Sequence, residues 1–285
     1  MPESEARVGE SIDYIGLALL AMSFVIIGYS FTEAPTWGWL SEDFWLGIAL
    51  GLAILFLFIN HELSTQNPLI NISDFVNPDI AVPPLLSSFV AGFGMFLSFQ
   101  ALVYMFELPK PIGYGMTILR TGLTLAPIAL IMLFAGPLYG ILMNTVGYRR
   151  VLIITSGIAA IGGLLMAATV YVHELMITII VMIISMVGIA GMTVTRITLL
   201  ISSASRERMA TMTGTNTAMR LMGNTLGPVI AGSLETTYRT PLLAYYLNGM
   251  PIFYEVPGRE SFVLSFVIAS ITAFIVMIMS TKVTR

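Results

Sequence analysis

The sequence predicts an all-α fold, a polytopic membrane bundle of about eight transmembrane helices. Hydrophobic residues make up 56% of the 285 positions and charged residues 10%, and the mean hydropathy is +0.89. A soluble protein of this length needs far more polar side chains to cover its surface. The apolar runs are continuous and mostly about 20 residues long, whereas the strands of a membrane β-barrel are shorter and alternate between apolar and polar residues. Composition and run length therefore both indicate membrane-spanning helices.

Eight apolar runs are long enough to cross a bilayer. They cover residues 12–30, 44–60, 80–106, 117–143, 151–172, 175–202, 213–234 and 261–280. The polar segment 61–78 divides them into a tail with two helices (1–60), a cytoplasmic linker (61–78) and a six-helix part (79–285). The late stretch 236–259 contains Pro241, Pro251, Pro257 and Gly258, which predicts a loop without regular structure.

The basic residues predict the orientation of the chain. With a cytoplasmic N-terminus, the outer loops hold only Lys110, Arg239 and Arg259. The cytoplasmic segments then hold Arg7, Arg149, Arg150, Arg206, Arg208, Lys282 and Arg285. Residues 1–10 are polar and acidic, which argues against a cleavable signal peptide. We therefore expect a multi-pass protein of the plasma membrane with both termini in the cytoplasm.

Three arginines, Arg120, Arg196 and Arg220, fall inside or at the edge of predicted spans. A cation at the middle of a bilayer costs at least about 2.5–3.5 kcal/mol, so it faces the bundle interior, a cavity or a paired acid. Arg196 lies near the end of its span, which favours snorkelling towards the surface. Arg120 lies at an outer edge and is expected to pair with Glu107. For Arg220, lining a cavity and bonding to backbone carbonyls remain equally plausible.

The seventh run contains polar and small residues at helical spacing. Asn216, Arg220 and Asn224 form a polar face, and Gly223 with Gly227 forms an adjacent face that predicts close helix packing. On the third run, Ser98 and Gln100 are the polar candidates for a cavity wall. For Ser98, a simple role in helix packing is at least as well supported.

Ordered along the chain, several short motifs resemble the fourteen-span drug:proton antiporter branch of the major facilitator superfamily. They are Ile12 to Gly16, Trp37-Gly-Trp39, Pro68-Leu69 with Asp74-Phe75, Gly113 to Pro127, Gly140 to Arg150, and Gly214 to Gly227. The resemblance covers nearly the whole chain. It implies the two linker spans and the second six-helix half of such a transporter.

The resemblance also implies roles for individual residues and partners. The turn with Gly140, Asn144, Gly147, Arg149 and Arg150 is similar to the superfamily's gating loop. Asn144 stands where the signature usually has Asp, and as a neutral residue it is expected to cap a helix end at most. The implied partners are the lipid bilayer, a small lipophilic substrate and protons, together with a separate N-terminal half or a second copy of the chain.

The same residues leave room for a second interpretation, a non-transporting relict or an interaction partner of a complete permease. We expect no proton relay inside this chain, because its acidic residues lie near the predicted span ends. An intramembrane enzyme is not supported, since the two histidines are far apart and neither a phosphate loop nor a serine nucleophile elbow occurs. We therefore expect no catalytic residue, metal or cofactor. The absence of a basic patch argues against nucleic acid.

Overall fold

The computed structural model describes residues 13–65, 68–69, 82–203, 209–247 and 250–281, which form eight long helices and one β-hairpin. The helices are α1 (Tyr14–Trp37), α2 (Glu42–Ser64), α3 (Val82–Glu107), α4 (Ile118–Val146), α5 (Tyr148–Val172), α6 (Leu175–Ser203), α7 (Met209–Thr237) and α8 (Arg259–Thr281). The strands are β1 (Arg239–Leu247) and β2 (Met250–Pro257). This confirms the predicted all-α polytopic bundle.

Seven of these helices are long and apolar enough to span a membrane, and α7 is the exception. It has 29 residues, as many as α4 and α6. Its Thr, Asn and Gly residues keep its hydropathy below that of the other helices. Its polar face packs against α3 inside the bundle, where side chains and backbone groups of other helices replace lipid as its surroundings.

Polar residues cap the N-terminal ends of the first two helices. Asp13 accepts a hydrogen bond from the Gly16 amide at 2.9 Å and starts α1. Ser41 accepts one from the Phe44 amide and starts α2. The helix α1 ends at Trp37, and residues 38–41 alone join it to α2.

The core lies between α3, α5, α6 and α8. Its fully buried side chains include Met105, Phe106, Met182, Phe262 and Phe266. Small residues bring the helices into contact. A Cβ on Gly188 would lie 2.4 Å from the Ala159 nitrogen, and one on Gly163 would lie 2.9 Å from the Ser270 Cβ. Close approach at small residues is the usual way for membrane helices to gain contact area.

Two further elements are attached to this core. The helix α4 packs against α6, where the Tyr139 hydroxyl donates to the Val187 carbonyl at 2.7 Å, and most of its other side chains are exposed. The α1–α2 pair is joined to the rest through α7: the Ser233 hydroxyl donates to the Phe31 carbonyl, and the Trp39 indole donates to Thr237 at 2.9 Å. Both contacts lie near the end of α7 that leads into the hairpin.

The prediction of an irregular loop at 236–259 is wrong, because this stretch forms the antiparallel hairpin β1–β2. Arg239 pairs with Pro257 and Leu247 with Met250, and a bulge lies between Leu243 and Tyr245. A two-stranded sheet has two free edges, so each proline can turn its missing amide outwards. The sequence signal for this hairpin was Asn248-Gly249 between two apolar runs, a dipeptide typical of two-residue turns.

The division into residues 1–60, 61–78 and 79–285 remains a prediction. Most of the expected linker, at 66–67 and 70–78, lies outside the described residues. The same holds for Arg7, Arg206, Arg208, Lys282 and Arg285, on which part of the predicted orientation depends. The described chain extends α2 to Ser64, so the first residues of the expected linker are helical.

Candidate functional site

The best-defined polar region of the interior is the contact between α3, α6 and α7, which we call the α3–α7 seam. On α7, Gly223 faces the Phe89 carbonyl, and a Cβ on Gly227 would lie 2.6 Å from the Phe93 oxygen. From α3, a Cβ on Gly92 would lie 2.6 Å from the Arg220 oxygen. Glycine on both helices thus lets the two backbones touch directly.

Arg196 on α6 points into this seam. Its side chain is only 2% exposed, and its Nη1 donates to the Ser87 carbonyl on α3 at 2.7 Å. The expectation that Arg196 snorkels to the surface is therefore wrong. One of its donors, Nε, is buried without a hydrogen-bond partner among the described residues. A buried guanidinium with an unbonded donor is costly unless a ligand or another segment supplies the missing hydrogen-bond acceptor.

The polar face of α7 adjoins Arg196. Asn216 is 1% exposed and accepts a hydrogen bond from the Ser88 hydroxyl on α3. Arg220 lies close enough for its charge to act on Arg196, and within the described chain its guanidinium forms no hydrogen bond or ion pair. Asn224 lies one turn further on, with its Oδ1 against Gly92. Two cations and two amides therefore follow one another along the seam, with Arg196 and Asn216 buried and Arg220 and Asn224 half-buried.

Gln100 lies at the opposite end of the seam, beside the carboxyl group of Glu235. Glu235 belongs to α7, is 5% exposed, and its Oε1 has no hydrogen-bond partner among the described residues. The sequence placed this residue just beyond its span. The helix continues to Thr237, which turns the carboxyl group inwards and makes Glu235 a buried acid that the sequence analysis missed.

Ser98 does not join the other predicted cavity residues. It lines two small cavities of about 20 and 10 Å³ together with Gly163 and Ser185, on the side of α3 that faces α5, α6 and α8. Each is about large enough for one water molecule. The structure thus brings Asn216, Arg220 and Asn224 together, and it leaves Gln100 and Ser98 at separate positions.

The turn from Gly140 to Arg150 is shorter than the sequence suggests. Gly147, with φ of 91°, is the one residue between α4 and α5. Asn144 lies on the last turn of α4, is exposed, and caps neither helix, since Gly147 holds both cap positions. Arg149 and Arg150 are exposed on the first turn of α5, and Gly140 lies within α4. The suggestion that Asn144 caps a helix end is therefore wrong.

At the hairpin end of the bundle, Arg120 lines an open cavity of about 710 Å³ and does not pair with Glu107. His173 and Tyr114 line the same cavity, with their rings stacked at 4.8 Å. Burial lowers the pKa of His173, and the charges of Arg259 and Lys110 lower it further. Burial likewise raises the pKa of Tyr114. The predicted pair of Arg120 and Glu107 is therefore wrong, and Arg120 instead lies with Lys110 at the edge of this cavity.

Two residues of the seam, Ser87 and Ser88, were not anticipated from the sequence. They precede Gly92 by about one turn, the spacing that also separates Asn216 from Arg220. Chemically, the seam offers charged and amide donors inside the bundle, with Glu235 as a buried carboxyl group at its far end and Glu62 as another on α2. The described residues contain no cluster of three or more groups suited to a metal ion. The arrangement can bind and orient polar groups.

Comparison with known proteins gives a consistent result. A protein-family model described as Major Facilitator Superfamily matches residues 2–228. Two Bacillus subtilis (strain 168) proteins, each named an uncharacterized MFS-type transporter, are similar. YcnB is 25% identical over 48% of this chain, and YhcA is 26% identical over 50% of it. The matched stretches cover 28% and 26% of those two proteins, so about a quarter of each relative is represented.

Proposed function

The chain belongs to the major facilitator superfamily, and from that premise we propose that it is the C-terminal part of a proton-coupled efflux transporter for lipophilic small molecules. It resides in the plasma membrane with both termini in the cytoplasm. It works with an N-terminal half supplied by a separate chain or by a longer form of this one. Alternating access in such transporters is the rocking of two parts around a site between them.

The observation that carries this proposal is the pair of cations in the α3–α7 seam, the buried Arg196 and the half-buried Arg220. Both lie on helices of a membrane bundle, and Arg196 is almost fully enclosed. Charged residues at membrane depth are costly and typically line the path of a substrate or ion. Asn216 and Asn224 on the same face add amide groups that can orient a polar substituent of a mainly apolar molecule.

The exposed face of α4 supports the requirement for a second half. Leu123, Leu130 and Phe134 on this helix are 66%, 57% and 64% exposed, although the helix belongs to the six-helix part. In a two-part transporter such a face packs against the other part, and in the isolated part it faces lipid. Co-purification of this chain with a candidate N-terminal half tests the arrangement directly.

The proposal of proton coupling is supported by one residue of this chain, Glu235. Glu235 supplies a buried carboxyl group beside Gln100, and carboxyl groups inside membrane bundles commonly take part in proton relays. We propose that the N-terminal half supplies the remaining titratable groups. The variant Glu235→Gln, assayed with an imposed proton gradient and without it, separates a role in coupling from a role in packing.

The decisive experiment is dye efflux from vesicles that contain this chain together with its N-terminal half. Arg220→Ala is expected to reduce efflux at least about ten-fold, since the substrate loses a charged contact near the middle of the membrane. Leu221→Ala is the matched control, because Leu221 is the next residue on α7 and is 51% exposed. Unaltered efflux in Arg220→Ala would show that Arg220 does not contact the substrate. Absence of efflux in every combination would favour the non-transporting relict.

A further inference from the structure

The open cavity at the hairpin end, which we call the hairpin-end basin, is separate from the seam. It is formed by the loop after α3, the first two turns of α4 and the turn between α5 and α6. Its lining includes Lys110, Tyr114, Arg120, Leu123, His173 and Glu174. With a volume of about 710 Å³, it is in the range of cavities that hold whole small molecules.

Positive charge converges on this basin. Among the residues that the structure describes, four Lys or Arg side chains lie at the hairpin end, namely Lys110, Arg120, Arg239 and Arg259. Lys110 and Arg120 line the cavity, and Arg259 reaches its rim by donating to the Pro111 carbonyl at 2.8 Å. The fourth, Arg239, is turned to Glu255 on the neighbouring strand, 3.6 Å away. Glu174 is the acidic residue among those that line the basin.

A polar group without a partner also lies in this lining. The Nε2 atom of His173 is buried and has no hydrogen-bond partner among the described residues. The ring is held in place by stacking on Tyr114 and by a left-handed backbone at φ of 54°. A non-glycine residue in that conformation is uncommon, and the stacking fixes the plane of the imidazole. The basin therefore has one wall fixed by the stacked Tyr114 and His173 rings, as well as flexible cations.

The other side of the basin is apolar and open to lipid. Met116, Leu123 and Leu175 line it, and Ile118 and Leu119 beside it are 81% and 73% exposed. A water-soluble anion would leave these side chains uncovered. An amphiphile with an anionic head can satisfy the cations with its head and the leucines with its chains.

We propose that the hairpin-end basin binds an anionic phospholipid, with the phosphate between Lys110 and Arg120 and the acyl chains along the first turns of α4. Cations next to a membrane attract anionic headgroups, and phosphate oxygens accept hydrogen bonds from both kinds of side chain. The site does not depend on the proposed transport function, because it uses none of the seam residues.

Native mass spectrometry of the full chain in neutral detergent tests this proposal, with phosphatidylglycerol, phosphatidylcholine and inorganic phosphate as probes. Phosphatidylglycerol is expected to bind more tightly than phosphatidylcholine. The double variant Lys110→Gln/Arg120→Gln is expected to weaken phosphatidylglycerol binding about five-fold for each cation removed. Both side chains are exposed, so the fold should tolerate the change, and a circular-dichroism melt of each variant verifies this.

The matched control is Arg239→Gln, which removes a cation from the same end of the bundle but outside the basin. It should change lipid affinity less than about two-fold, because Arg239 pairs with Glu255. Equal weakening by the control would show a general charge effect and overturn the site. Unchanged binding in the double variant, equal binding of phosphatidylcholine, or displacement of the lipid by inorganic phosphate would each overturn it as well.

Discussion

The α1–α2 pair and the α5–α6 pair are both helical hairpins, but they are stabilised differently. In the most apolar stretch of α1 and of α2, 17% of the residues are buried, against 56% in α5 and in α6. Within the α1–α2 pair the helices touch closely, since a Cβ on Gly51 would lie 2.5 Å from Ile27. Towards the rest of the bundle, α1 packs on α7 and α2 packs chiefly on α1.

The difference shows that burial in this protein depends on how many helices surround a segment rather than on its hydropathy. The helices α1 and α2 are about as apolar as α5. Lipid solvates apolar side chains well, so membrane helices need small residues and polar bonds to associate. The α5–α6 pair has such contacts on several faces, whereas the α1–α2 pair has them mainly inside the hairpin and at two bonds to α7.

The largest effect is expected at the α3–α7 seam, from Gly227→Ala. The added Cβ meets the Phe93 oxygen at 2.6 Å and the Leu97 nitrogen at 2.8 Å, and two backbones must move apart. Overpacking of this kind costs about 1–3 kcal/mol. Gly232→Ala is the matched control on the same helix, since nothing lies within 4 Å of its Cβ position. Equal unfolding free energies for the two variants, measured in detergent, would contradict the close approach.

A smaller effect is expected where the connection between α1 and α2 meets α7. Trp39→Phe keeps a ring but loses the indole hydrogen bond to Thr237, which should weaken attachment of the α1–α2 pair by about 0.5–1.5 kcal/mol. The chain has no cysteine, so a single introduced Cys on α7 can report exposure by its labelling rate. Trp37→Phe is the control, because this indole has a ring contact with Tyr29 and no such bond. Similar labelling in both variants would mean that the hydrogen bond does not hold the pair.

The dependence on pH should distinguish the hairpin end from the other end of the bundle. His173 has a lowered pKa when folded, so below its ordinary value of 6.5 the unfolded chain binds more protons. Its contribution to stability is present above about pH 6.5 and is lost as the pH falls. Asp13, whose pKa is lowered by the Gly16 amide and then by His61, makes its full contribution above its ordinary value of 3.8 and loses it only as the pH falls below that value.

Unfolding free energies of the wild type and of His173→Asn, measured from pH 8 to pH 5, test this prediction. Asparagine tolerates the left-handed backbone of position 173, so the variant removes the titration with little strain. The wild type should lose stability on acidification more steeply than the variant. Identical slopes would show that the environment of His173 does not depress its pKa.

The smallest effect on stability is expected at the turn between α4 and α5. Asn144→Asp places a negative charge on the exposed last turn of α4, which is slightly unfavourable at the C-terminus of a helix. The change in unfolding free energy should stay within about 0.5 kcal/mol. If this turn gates transport, as its resemblance to the superfamily's gating loop implies, efflux with the N-terminal half should change although stability does not. A loss of stability above 1 kcal/mol would show a structural role instead.

Much of the fold was predictable from the sequence because apolar runs of this length have few alternatives. The side chain directions were not. Hydropathy alone gives the depth of Arg196 but not its direction, and the Ser87 carbonyl that receives it belongs to a helix 109 residues away. The sequence predicted that Gly223 and Gly227 form a close-packing face, and they do contact α3. It could not predict the burial of the Glu235 carboxyl group, because that depends on the last residue of α7. The three prolines of this stretch are typical of a loop, and they explain why the sequence analysis did not predict the β-hairpin.

The single residue between α4 and α5 has a mechanical consequence. At about 1.5 Å per residue, the 29 residues of α4 form an arm about 43 Å long that ends at Gly147. A change of about 10° in the angle at Gly147 moves the far tip of that arm by about 8 Å, close to the distance between packed helices. The backbone there, at φ of 91°, suits glycine, and no second residue can absorb the twist. A rotation at Gly147 would therefore be transmitted from α5 directly to α4, without a flexible loop between them.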